Sequence, residues 1–365
     1  MNKFVLSALA LTTTGGLAVA GTGSEEWLTL DREIESLAST LAPQGQPGVT
    51  VSAFIRSSYV NSGDLVVGAN DLGGFNMDNI RLSVEGSVGD FSVFVSADGS
   101  SSLVPGTGTT NIPFSVLLFG GTPVGGGGSL GVLDAYASWN INEMLGLTMG
   151  QFLPRVLGSA AINENHLLFL NHTFNGTVFN ARDVGVMLSG QYDMFGFWVS
   201  IINGADSAGD ELAYALRAEF YAMGGGVGST VEGAYGSSQG NRLTVGAGYY
   251  NDDGNIPDNI AFAVDASFVS GPLSAAAELV NYDDGGFFPD STPFSAQVGF
   301  MFVPDQWEAA LRYQDLDTAS DTNIITVGLN YYMSGHDAKW QLNYETVDDD
   351  FIDLDWFGIG LTASV

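Results

Sequence analysis

From residue 49 to the end of the chain one pattern repeats: apolar and polar side chains alternate over about nine to twelve residues, then a turn breaks the run. In 79–88, Ile80, Leu82, Val84 and Val88 oppose Asn79, Arg81, Ser83, Glu85 and Ser87. In the next segment Phe91, Val93, Val95 and Ala97 oppose Ser92, Ser96 and Asp98, and near residue 133 Leu133, Ala135, Ala137 and Trp139 oppose Asp134, Tyr136, Ser138 and Asn140. Counting 49–60, 79–88, 91–98, 132–141, 145–151, 183–192, 195–203, 211–221, 241–250, 260–269, 273–282, 293–303, 306–315, 322–333, 338–347 and 354–365 gives sixteen such strands.

The connections alternate in length. Short turns at 89–90, 142–144, 193–194, 270–272, 303–305 and 334–337 take turns with longer polar loops at 61–77, 99–130, 153–182, 204–210, 251–259, 283–292, 316–321 and 348–353. That rhythm, with strands long enough to cross hydrocarbon at a tilt, predicts an all-β, 16-stranded antiparallel transmembrane β-barrel over 49–365. Closure removes edges that a membrane cannot leave unsatisfied, and sixteen strands enclose an aqueous channel. Residues 222–240 break the rhythm; a strand at Thr230–Tyr235 would misplace every later short turn, so this stretch is expected to be one long periplasmic turn.

The start of the chain fits export. Lys3, the apolar run Phe4–Leu11 and Ala18-Val19-Ala20 match a secretory signal over residues 1–20, too short to span a membrane. In 21–48, Trp27, Leu30, Ile34, Leu37 and Leu41 follow spacings of three and four, with Ser24 placed as a cap and Pro43 as a stop. This predicts a short N-terminal periplasmic helix, a two-heptad coiled coil that brings three copies together. The bland alternative is a single helix resting on its own barrel. Outer-membrane localisation, with lipid and lipopolysaccharide as surroundings, follows from export combined with the barrel.

Charge excludes one class of partner. Ten Lys and Arg, one of them Lys3, stand against 41 Asp and Glu, and nucleic acid requires the opposite footprint. No cysteine is present, so no disulfide framework is expected.

The segment 153–182 is far longer than an ordinary connection and rich in Asn, His and Phe, which predicts a loop folded into the pore. It carries Arg155, Glu164 and Arg182, with Asp183 directly after it. Alternation puts Arg56, Arg81, Arg217, Arg242 and Arg312 on the polar, water-facing side, together with Glu85, Asp98, Asp134, Glu211, Glu219, Asp265, Glu278, Glu308 and Glu345. The expected arrangement is a mixed-charge eyelet, with Glu164 and Asp183 against some of the wall arginines, passing ions and small hydrophilic solutes with mild cation preference. Equally open is the bland reading that the arginines pair with lumen acids and only keep the wall soluble. The runner-up function is an anion or phosphate channel built on the seven arginines.

Several phrases carry a family resemblance: Asp134-Ala135-Tyr136, Met149-Gly150-Gln151-Phe152 with Pro154, Arg182-Asp183-Val184-Gly185-Val186, Leu212–Arg217, Gln297-Val298-Gly299, Glu308–Tyr313 and Thr326–Tyr332. In their order and spacing the chain resembles the phosphate-selective porin O and P family. The resemblance implies a trimeric sixteen-stranded porin whose loop after the fifth strand enters the pore. Members that select phosphate use an arginine ladder and a lysine cluster, and past the signal this chain keeps only Lys339.

Catalysis finds little support. His166, His172 and His336 occur without a Gly-x-Ser-x-Gly elbow, zinc spacing or phosphate loop. Asp252–Asp258 lacks the spacing of a calcium loop. No cofactor or metal is expected. A barrel-embedded hydrolase and a closed structural barrel remain as alternatives.

Overall fold

The computed structural model describes residues 48–62, 72–102, 129–204, 211–224, 230–236, 240–252, 259–283, 290–350 and 354–365. Residues 1–20, expected to be a signal, and the seam Trp27, Leu30, Ile34, Leu37 and Leu41 lie outside the described residues.

Sixteen strands form one antiparallel sheet: β1 Val49–Ser62, β2 Leu72–Val88, β3 Phe91–Ser102, β4 Ser129–Asn140, β5 Leu145–Phe152, β6 Asp183–Tyr192, β7 Phe195–Ile202, β8 Ala213–Met223, β9 Arg242–Asp252, β10 Asn259–Ser270, β11 Leu273–Asp283, β12 Phe294–Val303, β13 Trp307–Asp315, β14 Asn323–Ser334, β15 Ala338–Asp348 and β16 Leu354–Ser364. Each pairs with its sequence neighbours, and β1 pairs with β16, placing Arg56 opposite Thr362, so the sheet closes on itself. The expected strand count and order are found. The largest boundary difference is β2, which starts at Leu72 rather than 79; a register shift between Met77 and Ile80 offsets the alternation just where the sequence pattern weakens.

Alternation sorts the two faces. Leu82 is 49 % and Val327 51 % exposed on the outside, whereas Arg81 is 7 % and Arg312 2 % exposed on the inside. An outer face of Val, Ile, Leu and Phe side chains is what a barrel needs against hydrocarbon. Aromatic pairs gather at the short-turn end: Phe91 on Trp139, Phe195 on Phe220 and Trp307 on Tyr331, with ring centroids 5.9, 5.0 and 4.5 Å apart. The tight turns there use left-handed residues, among them Gly89 (φ 58°) and Asp193 (φ 51°), which such hairpins require.

Candidate functional site: the filled lumen

The loop between β5 and β6 enters the barrel as a packed body. It contains two short 3-10 turns, Ser159–Ala161 and Glu164–His166, and one five-residue helix, α1 Phe174–Val178. Local side chains start these pieces: Asn163 accepts the Glu164 N–H, and Thr173 accepts the Gly176 N–H. Leu157, Leu167, Leu168, Phe169 and Leu170 are all buried.

Small wall residues make room for those side chains. A Cβ added at Gly328 would crowd the Phe169 ring, one at Gly358 or Gly360 would meet Leu170, and one at Gly248 would collide with the Val156 carbonyl. Glycine is therefore required where the loop backbone or its largest side chains touch the wall. Ala215, Ala261 and Ala263 pack with Val156 and Leu157 in the same way.

Polar wall residues then hold the loop by its carbonyls. Lys339 donates to the Leu167 carbonyl at 2.5 Å and Gln341 to the same oxygen at 3.2 Å. Asn330 donates to Leu168 at 2.9 Å, Arg56 to Leu170 at 2.7 Å and Arg312 to Asn171 at 2.9 Å. Five side chains from β1, β13, β14 and β15 thus clamp one stretch of backbone, satisfying carbonyls that burial would otherwise strand. Arg312 also lies over the Phe169 ring, 4.5 Å from its centroid.

The arginines point inward as the alternation required, yet most are not free in water. Arg81 meets Glu164 at 2.7 Å and Asp98 at 2.5 Å. Arg217 meets Asp265 and Glu219, each at 2.7 Å, and donates to the Val156 carbonyl at 2.9 Å. Arg182 lies 3.3 Å from Asp134 and bonds Asn180; Arg312 lies 3.7 Å from Glu345 and Arg56 4.0 Å from Asp78. Arg155 and Arg242 have no carboxylate within 4.0 Å among the described residues. Glu164 of the loop faces Arg81 of the wall. Asp183 instead accepts the Val184 and Gly204 N–H groups at 2.6 and 2.8 Å, tying the tops of β6 and β7 together. Glu211 is exposed, ahead of β8.

Loop titration follows from this packing. Burial would raise the Glu164 carboxyl, but Arg81, with His172 and Arg56 nearby, overrides it and holds the group at about 2. Burial pushes His172 down to about 4 against the pull of Glu164. Its ring nitrogen and Asn180 are 3.0 Å apart. His166 and His336 stack edge-on at 5.0 Å between ring centroids, and no serine hydroxyl bonds to any of the three histidines among the described residues.

A second segment enters from the other end. The stretch between β8 and β9 contains no strand among its described residues; instead Thr230–Tyr235 folds up into the lumen. Its Glu232 N–H donates to the His166 carbonyl at 3.1 Å, and the Glu232 carboxylate accepts the Leu168 N–H at 2.9 Å. The Ala234 N–H donates to Glu308 at 2.7 Å, and Tyr235 packs on Tyr332 at 4.7 Å between centroids. Gly233 adopts φ 84° where an added Cβ would lie 2.7 Å from the Glu308 carboxylate. Loop and turn therefore meet inside the barrel, having entered from opposite ends.

Between the loop, this turn and the wall from β6 to β12 lies a cavity of about 260 Å³. Arg155, Trp198, Arg217, Glu219, Glu232 and Glu278 are among its lining residues.

No known family profile matches the chain, and no curated protein sequence does. Solved structures do match. The anion-selective porin from Comamonas acidovorans aligns over 88 % of this chain and 100 % of its own, with 12 % identity and a TM-score of 0.57. OmpT of Vibrio cholerae in its trimer form aligns over 87 % and 99 %, with 13 % identity and a TM-score of 0.56. The outer-membrane channel DcaP of Acinetobacter baumannii aligns over 89 % and 99 %, with 15 % identity and a TM-score of 0.54. The chain has the porin fold.

Within this porin fold, several residues that shape the lumen escaped the sequence pattern. Lys339 shares the inward face with Gln341, Asn343 and Glu345, so alternation gives its side but not its carbonyl partner. Glu232 sits in a glycine-rich turn with no periodic signal at all. Trp198 opposes outward-facing neighbours on β7, and only its register marked it as inward.

Proposed function

We propose that this protein is an outer-membrane porin that passes ions and small hydrophilic solutes by passive diffusion, with mild cation preference. One observation carries the reading: five of the seven candidate arginines, Arg56, Arg81, Arg182, Arg217 and Arg312, have a carboxylate within 4.0 Å. Their charge is cancelled at short range, and several of them brace the constricting loop. Glu232 and Glu278, which also line the cavity, have no cation within that distance among the described residues. A wall whose cations are compensated and whose acids are in excess favours cations by its local field. The reading extends to a trimer in the manner of the phosphate-selective porin O and P family, exported by residues 1–20, assisted by the helix 21–48 and set among outer-membrane lipid and lipopolysaccharide. No catalytic role is proposed.

Planar-bilayer recording of the purified protein in a potassium chloride gradient tests this. A modest cation-sign reversal potential is expected, unmoved by added phosphate. Anion selectivity through Arg56, Arg81, Arg155, Arg182, Arg217, Arg242 and Arg312 is the second reading, favoured by the uncompensated Arg155 and Arg242. A strong anion-sign potential would establish it in place of the first, and silence in the bilayer would remove both.

A further inference from the structure

The cavity of about 260 Å³ between loop and wall is lined by charges of both signs that make no ion pair within 4.0 Å among the described residues. At one place is Arg155. Among the described residues no carboxylate lies within 4.0 Å of it; its guanidinium sits over the Trp198 ring, 5.8 Å from the centroid. At the other are Glu232 and Glu278. The Glu278 carboxylate accepts the Ser159 and Thr173 hydroxyls, both at 2.5 Å, and Glu232 accepts the Leu168 N–H at 2.9 Å. These donors orient the carboxylates without neutralising them, and no Lys, Arg or His nitrogen lies within 4.0 Å of either among the described residues.

Uncompensated ions inside a protein are costly, and a chain that pairs Arg81, Arg182 and Arg217 so closely evidently can supply counter-charges. That it leaves Arg155, Glu232 and Glu278 without such a close partner around one cavity implies that the occupant supplies it. A monoanion would answer only Arg155, and a monocation only the acids. A solute carrying both charges answers all three groups. We infer that this cavity is a resting site for a small zwitterion, its carboxylate on Arg155 and its ammonium toward Glu232 and Glu278.

Burial pushes the Arg155 guanidinium down despite Glu219, and the Glu232 carboxyl up despite the Leu168 N–H, Arg312 and Lys339, so the charges nearby do not make good the lost hydration. The proposal deepens the porin reading and rests on it, since the solute reaches the cavity through the lumen.

Alanine, propionate and n-propylammonium serve as probes at pH 7, read by block of potassium chloride current in bilayers and by calorimetry of the full-length protein in detergent. Alanine is expected to bind saturably and to lower the current, with each singly charged analogue weaker by roughly tenfold or more, since a charge-assisted contact is lost at one end. Arg155→Gln and Glu278→Gln are each expected to weaken alanine binding by a similar factor, with Arg155→Lys intermediate, while circular dichroism reports the intact sheet. Propionate or propylammonium binding as tightly as alanine, or alanine binding indifferent to these variants, would overturn the inference. Alanine heat without any conductance would fail the porin reading alone; ordinary conductance with no response to alanine would fail the inference alone.

Discussion

His172 shows how a single buried ring couples this loop to pH. Its folded value, about 4, lies below the ordinary 6.5, so as pH falls through 6.5 the unfolded chain takes up the proton first. Stability is therefore full above pH 6.5 and declines by at most about 1.4 kcal/mol per pH unit until about pH 4. His166 and His336, also lowered by burial, act in the same sense. Thermal unfolding at pH 7 and pH 5 should show a drop in midpoint, made smaller by His172→Gln. Glu164, held at about 2 by Arg81, contributes little to the change between pH 7 and pH 5, because its own loss falls mainly below the ordinary carboxylate value of 4.5. At this scale the sequence was partly legible. Period-two alternation put Arg81 and Arg217 on the inward face, because a strand fixes side but not depth. It could not reveal that Arg56 and Arg312 bond loop carbonyls, since those partners lie more than a hundred positions away in the chain.

At the scale of elements, the loop and the wall are fitted to one another at particular points. Gly248→Ala would force the Val156 backbone away from β9, costing about 1–3 kcal/mol as overpacking does. Its expected signature is a noisier open-channel current from a barrel that still folds. Lys339→Met removes the 2.5 Å bond to Leu167 and leaves Gln341 alone on that carbonyl. Loss of about 1–3 kcal/mol is expected, read as a lower midpoint of thermal unfolding. Strand identities were legible because each has to answer to lipid on one side. The inward course of Thr230–Tyr235 was not, because a glycine-rich stretch held by backbone N–H groups leaves no periodic mark.

For the whole molecule, sixteen strands and their closure followed from connection lengths as much as from the alternation of side chains. The assembly that the seam at Trp27, Leu30, Ile34, Leu37 and Leu41 implies can be tested directly. Removing residues 21–48 behind a retained signal should shift unheated protein on a denaturing gel from trimer toward monomer, while heated mobility changes only by the lost mass. A trimer that resists this deletion would place the assembly contacts on the barrel wall instead.

Glu232 and the Leu168 backbone share a hydrogen bond although one arrives from the short-turn end and the other from the long-loop end. Thr230–Tyr235 and residues 166–168 are therefore one hydrogen-bonded body, joined through Leu167 and Leu168 to side chains of β14 and β15. What enters the barrel from its two ends is thus held together as one piece, so that Glu232→Gln is expected to loosen both the turn and residues 166–168.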